Sequence, residues 1–324
     1  MLRFGFALLL AIGTLGAVHA QSVDAPWPTK PIRFIVPLPA GSVADLVARI
    51  VAAKLSDRLG QPIIVDNRPG ASGSIGAEAV ARAAPDGYTM GLATGSTHAI
   101  AVSLNPNLSY DPVKDFAPIS MLSDSPYVLV VTKELEAKNI AELIAMAKAK
   151  PGALRYSTDG PASLAQFAGA LFATMAGVEL TPVPYHSATH AVIDLMEGRI
   201  EMQFGLVGAS LPFIQQGKLR ALAVTSRRRV DVLPDVPTLS ESGLPGYEAV
   251  LWMALVMPPG TPPAIVERVN RDTRALLAEP EVQKALAALV MQAASSTPEE
   301  LRERIRRDIE KWRRLAAEAG IKAE

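Results

Sequence analysis

From Ile32 the chain runs IRFIVPL, breaks at Pro39-Ala40-Gly41-Ser42, and at once takes up the helical pattern VADLVARIVAAKL. A strand that ends in a short turn and feeds a helix commits a chain to layered α/β architecture, because the helix must pack back onto the sheet it has just left. Gly41 lets the backbone approach a ligand, and the first turn of the helix carries unpartnered amides and the positive end of its dipole. Ser42 with Asp45 three residues on is a capping-box variant, and Gly60 stands where a C-terminal glycine is expected. Alone, this turn reads equally as an ordinary connection or as an anion site. Repetition favours the second reading. After PIIVD, the loop Asn67-Arg68-Pro69-Gly70-Ala71-Ser72-Gly73-Ser74 opens another helix; after YTMGLA, the loop Thr94-Gly95-Ser96-Thr97-His98 opens a third. Three strands thus end in small, hydroxyl-rich loops on one sheet edge.

The order strand 32–38, helix 43–59, strand 62–66, helix 74–84, strand 88–93 is a βαβαβ pattern and predicts parallel strands covered on both faces. A second series begins with SPYVLVV at 125–131. A helix capped at Asn139 runs to about Lys150, and the strand LRYST follows. Next come the loop Asp159-Gly160-Pro161-Ala162, a helix over 163–176, the strand LTPVPY, the loop His186-Ser187-Ala188, a helix over 189–197, the strand EMQF and the loop Gly205-Leu206-Val207. The Pro- and Gly-rich stretch 227–248 reads as a connection, LWMALVM at 251–257 as a strand, and three helical segments close the chain. This length favours two domains over one. SPYVLVV and LWMALVM stand where a chain would cross between lobes, once out and once back. Lobe 1 is then discontinuous, 21–124 with 249–324, around lobe 2 at 125–248. Each lobe is expected to be a doubly wound, mainly parallel sheet. Open α/β sheets bind ligands beyond the carboxyl ends of their strands, so a ligand would lie between the lobes, with hinge closure on a small solute.

Residues 1–20 carry one basic residue, Arg3, an apolar run from Phe4 through Leu15, and Val18-His19-Ala20 at the positions a signal peptidase reads. The run falls short of the roughly 20 apolar residues a membrane-spanning helix needs. An exported chain without cysteine fits a bacterial periplasm better than a disulfide-rich extracellular setting. Charge is balanced, 32 basic against 32 acidic residues, so nothing draws nucleic acid or an anionic membrane in bulk. Arg227-Arg228-Arg229 reads as a solvated turn. The few aromatics do not interleave with basic residues, which argues against a base-stacking platform.

The segments WPTKPIRFIVPLPAG, VARIVAAKLSDRLGQPIIVDNRPGASGSIGAEAVARAAPDGYTMGLATGSTHAI, YDPVKDFAPIS, VPYHSATHAVIDLMEGRIEMQF, GKLRALAVTS and LPDVPTLSESGLPGYEAVLWMALVMPPGTP follow one another in the order of a known family. Over essentially the whole mature chain the sequence resembles the substrate-binding proteins of tripartite tricarboxylate transporters, the Bug or TctC-like family. The resemblance implies a type II, Venus-flytrap binding protein that captures a small organic acid and delivers it to membrane permease subunits, as a monomer and without a cofactor. It implies ligand contacts, largely through backbone amides and waters, at Leu38, Ala40, Gly41 and Ser42, at Ser74, and at Ser96, Thr97 and His98. From the second lobe it implies Asp159, Gly160, Pro161, Ala162 and Ser163, then Tyr185, Ser187 and Ala188, with Asp194 and Gly205 at matching positions. The chain departs from the family pattern at Ser42, Gln166, His186-Ser187 and Gly205, which changes pocket size and polarity.

Other readings are weaker. An orphan sensor presenting the solute to a membrane kinase would have the same pocket. Ser72 or Ser74 with His98 and Asp45 could form a hydrolase triad, but the chain has no G-x-S-x-G elbow. His186 and His190 are four apart without a third ligand at metal spacing, and the Met and Leu residues along 281–291 read as core. The leader gives the first prediction: N-terminal sequencing of the exported protein should begin at Gln21, and a mature chain beginning at Met1 would overturn the leader assignment.

Overall fold

The computed structural model describes residues 27–322 apart from 106, 161, 162 and 186. The leader, and with it Pro161, Ala162 and His186, lie outside the described residues. In chain order the elements are β1 (Ile32–Val36), α1 (Val43–Leu59), β2 (Ile63–Asn67), α2 (Ser74–Ala81), β3 (Thr89–Thr94), α3 (Ala101–Leu104) and β4 (Ala117–Thr132). They continue with α4 (Ile140–Ala149), β5 (Arg155–Thr158), α5 (Leu164–Ala176), β6 (Thr181–Pro184), α6 (Ala188–Met196), β7 (Met202–Leu206), α7 (Val207–Gln215) and β8 (Leu219–Val224). The chain closes with β9 (Val250–Met257), α8 (Pro263–Leu277), α9 (Pro280–Ala288), β10 (Gln292–Ala293) and α10 (Pro298–Glu318).

The first helix has the expected bounds because both ends are capped in sequence. Ser42 Oγ accepts from the Asp45 amide at 3.3 Å, and the left-handed Gly60 returns its amide to the Ser56 carbonyl. Its apolar stripe, Ala44, Val47, Ala48, Val51, Ala52 and Leu55, is buried against β1, whose Ile32, Phe34, Ile35 and Val36 are buried in turn. A strand buried on both faces belongs inside a parallel sheet. Here β2, β1 and β3 run parallel, as do β6, β5 and β7. Each trio is one of the doubly wound units read from the sequence.

Of the crossing strands, β9 runs antiparallel to the first trio and β4 to the second, so the whole sheet is mixed. The reading of 125–131 as a strand captured only the second half of β4, which starts at Ala117. From Ala117 to Pro126 this strand pairs with β9, which in turn pairs with β3; from Tyr127 to Thr132 it lies between β7 and β8. One continuous strand therefore belongs to both sheets. At the changeover Thr225 is fully buried and ties three segments together. Its hydroxyl lies 2.8 Å from the Tyr127 amide and bonds to the Ala249 carbonyl, its own amide donates to the Tyr127 carbonyl, and the Ala249 amide donates to the Thr225 carbonyl. The helix α7 and the strand β8 are additions to the elements expected from sequence; Pro212 lies inside α7 and masks its periodicity.

One apolar core runs through both lobes, and two smaller ones cover the opposite faces. In the shared core α10 reaches across to α5, with Trp312 and Phe167 edge to face at 5.5 Å. Trp252, buried at the start of β9, donates its indole N–H to Asp308 of α10 at 2.8 Å. No helix among the described residues is long and apolar enough to cross a membrane.

The Thr225 junction yields a stability prediction. Thr225→Val keeps the side-chain shape but leaves the Tyr127 amide unpaired in the interior. An unmade buried hydrogen bond costs about 1–3 kcal/mol, so urea unfolding should show a lower midpoint at unchanged slope. A Thr225→Val protein as stable as the wild type would show that the junction contributes nothing.

Candidate functional site

The loops at the carboxyl ends of β1, β2, β3, β5 and β6 meet in one cleft of about 940 Å3. Its first-lobe wall is Pro37 to Pro39, the stretch 69–74 and Ser96; its second-lobe wall is Asp159, Gly160, Ser163, Leu164, Pro184 and Tyr185, and Tyr127 at the strand crossing lies between. Interlocking small residues fix the first wall. A Cβ on Gly73 would stand 2.6 Å from Thr97 Cγ2, and one on Gly76 would stand 2.7 Å from Pro37 Cα. Only glycine permits loops of three different strands to touch this closely. The stretch 70–73 is left-handed throughout, and Ala71 (φ 46) and Ser72 (φ 54) hold that conformation despite their side chains. Backbone strain of this kind persists where surrounding packing over-determines it, and it clusters at ligand clamps.

The turn before α1 is arranged differently from the sequence expectation. Gly41 (φ 79) donates its amide to Asp45 Oδ2 at 2.9 Å. Asp45 also accepts from Arg49 Nε at 3.0 Å and from Asn67 Nδ2, whose amide bonds the Leu38 carbonyl as well. The Arg49 guanidinium above all, then the Gly41 and Asn67 amides, hold the buried Asp45 carboxyl down at about 2 against the opposing effect of burial. An internal carboxylate thus occupies the N-terminal niche of α1. Neither Gly41 nor Ser42 lines the cleft, and Ala40 and Gly41 are exposed.

Thr97 and His98 also face inward. The Thr97 hydroxyl bonds Thr94 and His98 Nδ1 at 2.9 Å, and the His98 ring packs on Phe116 at 4.5 Å. Its Nε2 has no partner among the described residues. Burial pushes the imidazole down to about 3, so it is neutral at physiological pH. His98 makes no bond to Asp45, whose oxygens serve Gly41, Arg49 and Asn67, so these side chains are not assembled as a triad.

Of the residues read from sequence, Leu38, Ser74, Ser96, Asp159, Gly160, Ser163 and Tyr185 stand on the cleft wall. Asp194 does not. It accepts from the Tyr185 hydroxyl at 2.8 Å and from Arg199 at 2.6 Å, beside a separate surface hollow. Gly205 lies in β7 opposite Val128, with Ser210 and Gln203 against it. Ser187 precedes α6 off the wall, and Ala188 opens that helix. Sequence reasoning missed Tyr127 and an apolar strip, Ala101, Leu104 and Leu108. Their i, i+3, i+7 spacing directly after Ser96 was the available signal.

The family model described as "Tripartite tricarboxylate transporter family receptor" matches residues 47–321. The chain belongs to this family. Protein BugT of Bordetella pertussis is 36% identical over 323 residues, covering 99% of each chain. The R. palustris protein Rpa4515, solved with adipate, superposes with a TM-score of 0.79 at 35% identity, over 91% of this chain and 99% of that one. MatC from Rhodopseudomonas palustris with bound malate gives 0.74 at 31% identity, over 89% and 99%. The receptor is accordingly a periplasmic solute-binding protein of the tripartite tricarboxylate type, with the two-lobed fold of that class.

The burial of His98 yields a pH prediction. An unfolded chain takes up its proton near 6.5, the folded receptor only near 3. Between those values the unfolded state binds more protons, so stability falls as pH drops through the window. In His98→Asn, whose amide can take the Nδ1 bond, this part of the slope should vanish, as followed by denaturant unfolding from pH 7 to 4. Equal slopes in the two proteins would place the imidazole in water.

Proposed function

We propose that the receptor captures a small carboxylate-bearing metabolite in the inter-lobe cleft, without catalysis and as a monomer, and presents it to the permease subunits of its transporter. Lobe 1 is 21–124 with 249–324 and lobe 2 is 125–248; the exchange of β4 between sheets next to Pro126 and Tyr127 supports that division. The observation that carries the reading is the composition of the cleft. Strand-end loops of both sheets bring Ser72, Ser74, Ser96, Ser163 and Tyr185 to it, β4 brings Tyr127, and no Lys or Arg lines it among the described residues. A carboxylate held there relies on hydroxyls, amides and water. Micromolar affinity corresponds to about 8 kcal/mol, and a hydrogen bond to a charged group contributes roughly 1.5–3 kcal/mol. About four to six donors suffice on that scale, so no cationic side chain is needed. The solved relatives with adipate and malate in their titles support the ligand class. Contacts from both walls favour closure, because a ligand shifts a conformational equilibrium only by its differential contacts.

Calorimetry and small-angle scattering test the proposal together. A carboxylate from a panel including malate and adipate should bind at micromolar concentration, and the radius of gyration should fall at saturation. Ser96→Ala should weaken that binding roughly tenfold or more, the scale of one lost charge-assisted bond, whereas Ser187→Ala should leave it unchanged. A panel without a binding carboxylate would refute the ligand class, and an unchanged radius at saturation would refute closure.

A further inference from the structure

Asp159 is the only charged side chain among the described residues that line the cleft. It is held there by a built turn. Gly160 adopts φ +101, its carbonyl accepts from Ser163 Oγ at 2.7 Å, and that same oxygen caps α5 through the Gln166 amide. The other acidic groups near the strand ends are matched. Asp66 meets Arg33 and Arg68, Asp45 meets Arg49, and Asp194 meets Arg199. Among the described residues Asp159 has no such partner. Its side chain is exposed to the cleft, whose walls raise its carboxyl by partial desolvation, with no neighbouring cation opposing the rise. The same cleft also carries apolar side chains, Ala101, Leu104, Leu108 and Leu164.

Building on the carboxylate reading, we infer that Asp159 selects a ligand that also carries a cationic nitrogen, so that the receptor takes amino-carboxylates with an apolar body in preference to dicarboxylates. An ammonium group supplies the missing counter-charge, while a second carboxylate brought to the same wall meets like charge. Carboxylate and ammonium then engage different walls: the hydroxyl-rich loops of the first lobe take the anion, and Asp159 of the second takes the cation.

Five six-carbon probes separate the possibilities at pH 7: norleucine, 6-aminohexanoate, adipate, hexanoate and 1,6-hexanediamine, each titrated calorimetrically into wild type, Asp159→Asn and Asp159→Glu. At least one of the two amino acids should bind about tenfold or more tightly than adipate and hexanoate, a difference of about 1.4 kcal/mol. That preference should disappear in Asp159→Asn and persist in Asp159→Glu, while melting of the unliganded variants shows that both are folded. Adipate or hexanoate binding wild type as tightly as the better-binding amino acid overturns the inference and leaves the carboxylate reading standing, as does a preference that survives Asp159→Asn. The diamine binding as tightly as the amino acids, and losing affinity in Asp159→Asn, upholds the role of Asp159 and overturns the carboxylate reading. Failure of all five to bind overturns the inference, and the carboxylate reading then stands or falls with the wider panel that includes malate.

Discussion

Both sheets are completed on one strand. Because β4 pairs with β9 along its first half and with β7 and β8 along its second, neither lobe can form its hydrogen-bond ladder without the strand that enters the other. The returning chain is fixed at the same point, where Thr225 satisfies the backbone of Tyr127 and Ala249 in the interior. Buried backbone groups must find partners, and here the partners come from segments about a hundred residues apart. The relative position of the two walls, and so the cleft itself, follows from this junction. Tyr127 belongs to the junction and also lines the cleft, which joins the crossing physically to the ligand space.

Around that frame the site is made by close approach and by counter-charge. Gly73 and Gly76 let the loops after β1, β2 and β3 nest against one another, and the tight fit holds Ala71 and Ser72 in conformations they would otherwise avoid. Asp45 fills the N-terminal niche of α1 from within, accepting from Gly41, Arg49 and Asn67. The acidic group that remains in the cleft, Asp159, has its turn satisfied by Ser163 but its charge unmatched among the described residues. A site of hydroxyls, apolar walls and one carboxylate discriminates by what it leaves unpaired as much as by what it bonds.

The legible parts were those governed by local chemistry. Ser42 and Gly60 bound α1, Ser163 and Gly177 bound α5, and the Thr297–Glu300 capping box starts α10, each because a side chain or a glycine satisfies helix-end groups within a few residues. The strand-end loops could be placed on a common edge because parallel strands with covering helices allow little else. Less legible was the first half of β4, APISMLSDSP, whose polar residues and proline hide a strand that is buried by β9 and α10 rather than by its own neighbours. The same limit applied to His98. In sequence it is a histidine in a glycine-rich loop; in the fold it is a core residue behind the cleft, set against Phe116 and Tyr110.

By itself the sequence determined the alternation of strands and helices, the caps that bound them, the edge on which the loops gather and the family to which the chain belongs. Those features depend on residues close together in the chain, or on a long ordered series of matches. Tertiary structure decided which residues of each loop line the cleft. Ser42, Thr97 and His98 stand off the cleft wall while Ser74, Ser96, Asp159 and Tyr185 stand on it, although all lie in loops of similar composition. The reason is that a loop side chain goes where a partner remains for it. Those partners, such as Asn67 for Asp45, Phe116 for His98 and Ser163 for the Asp159 turn, are supplied by packing between elements as well as by the spacing of residues along the chain.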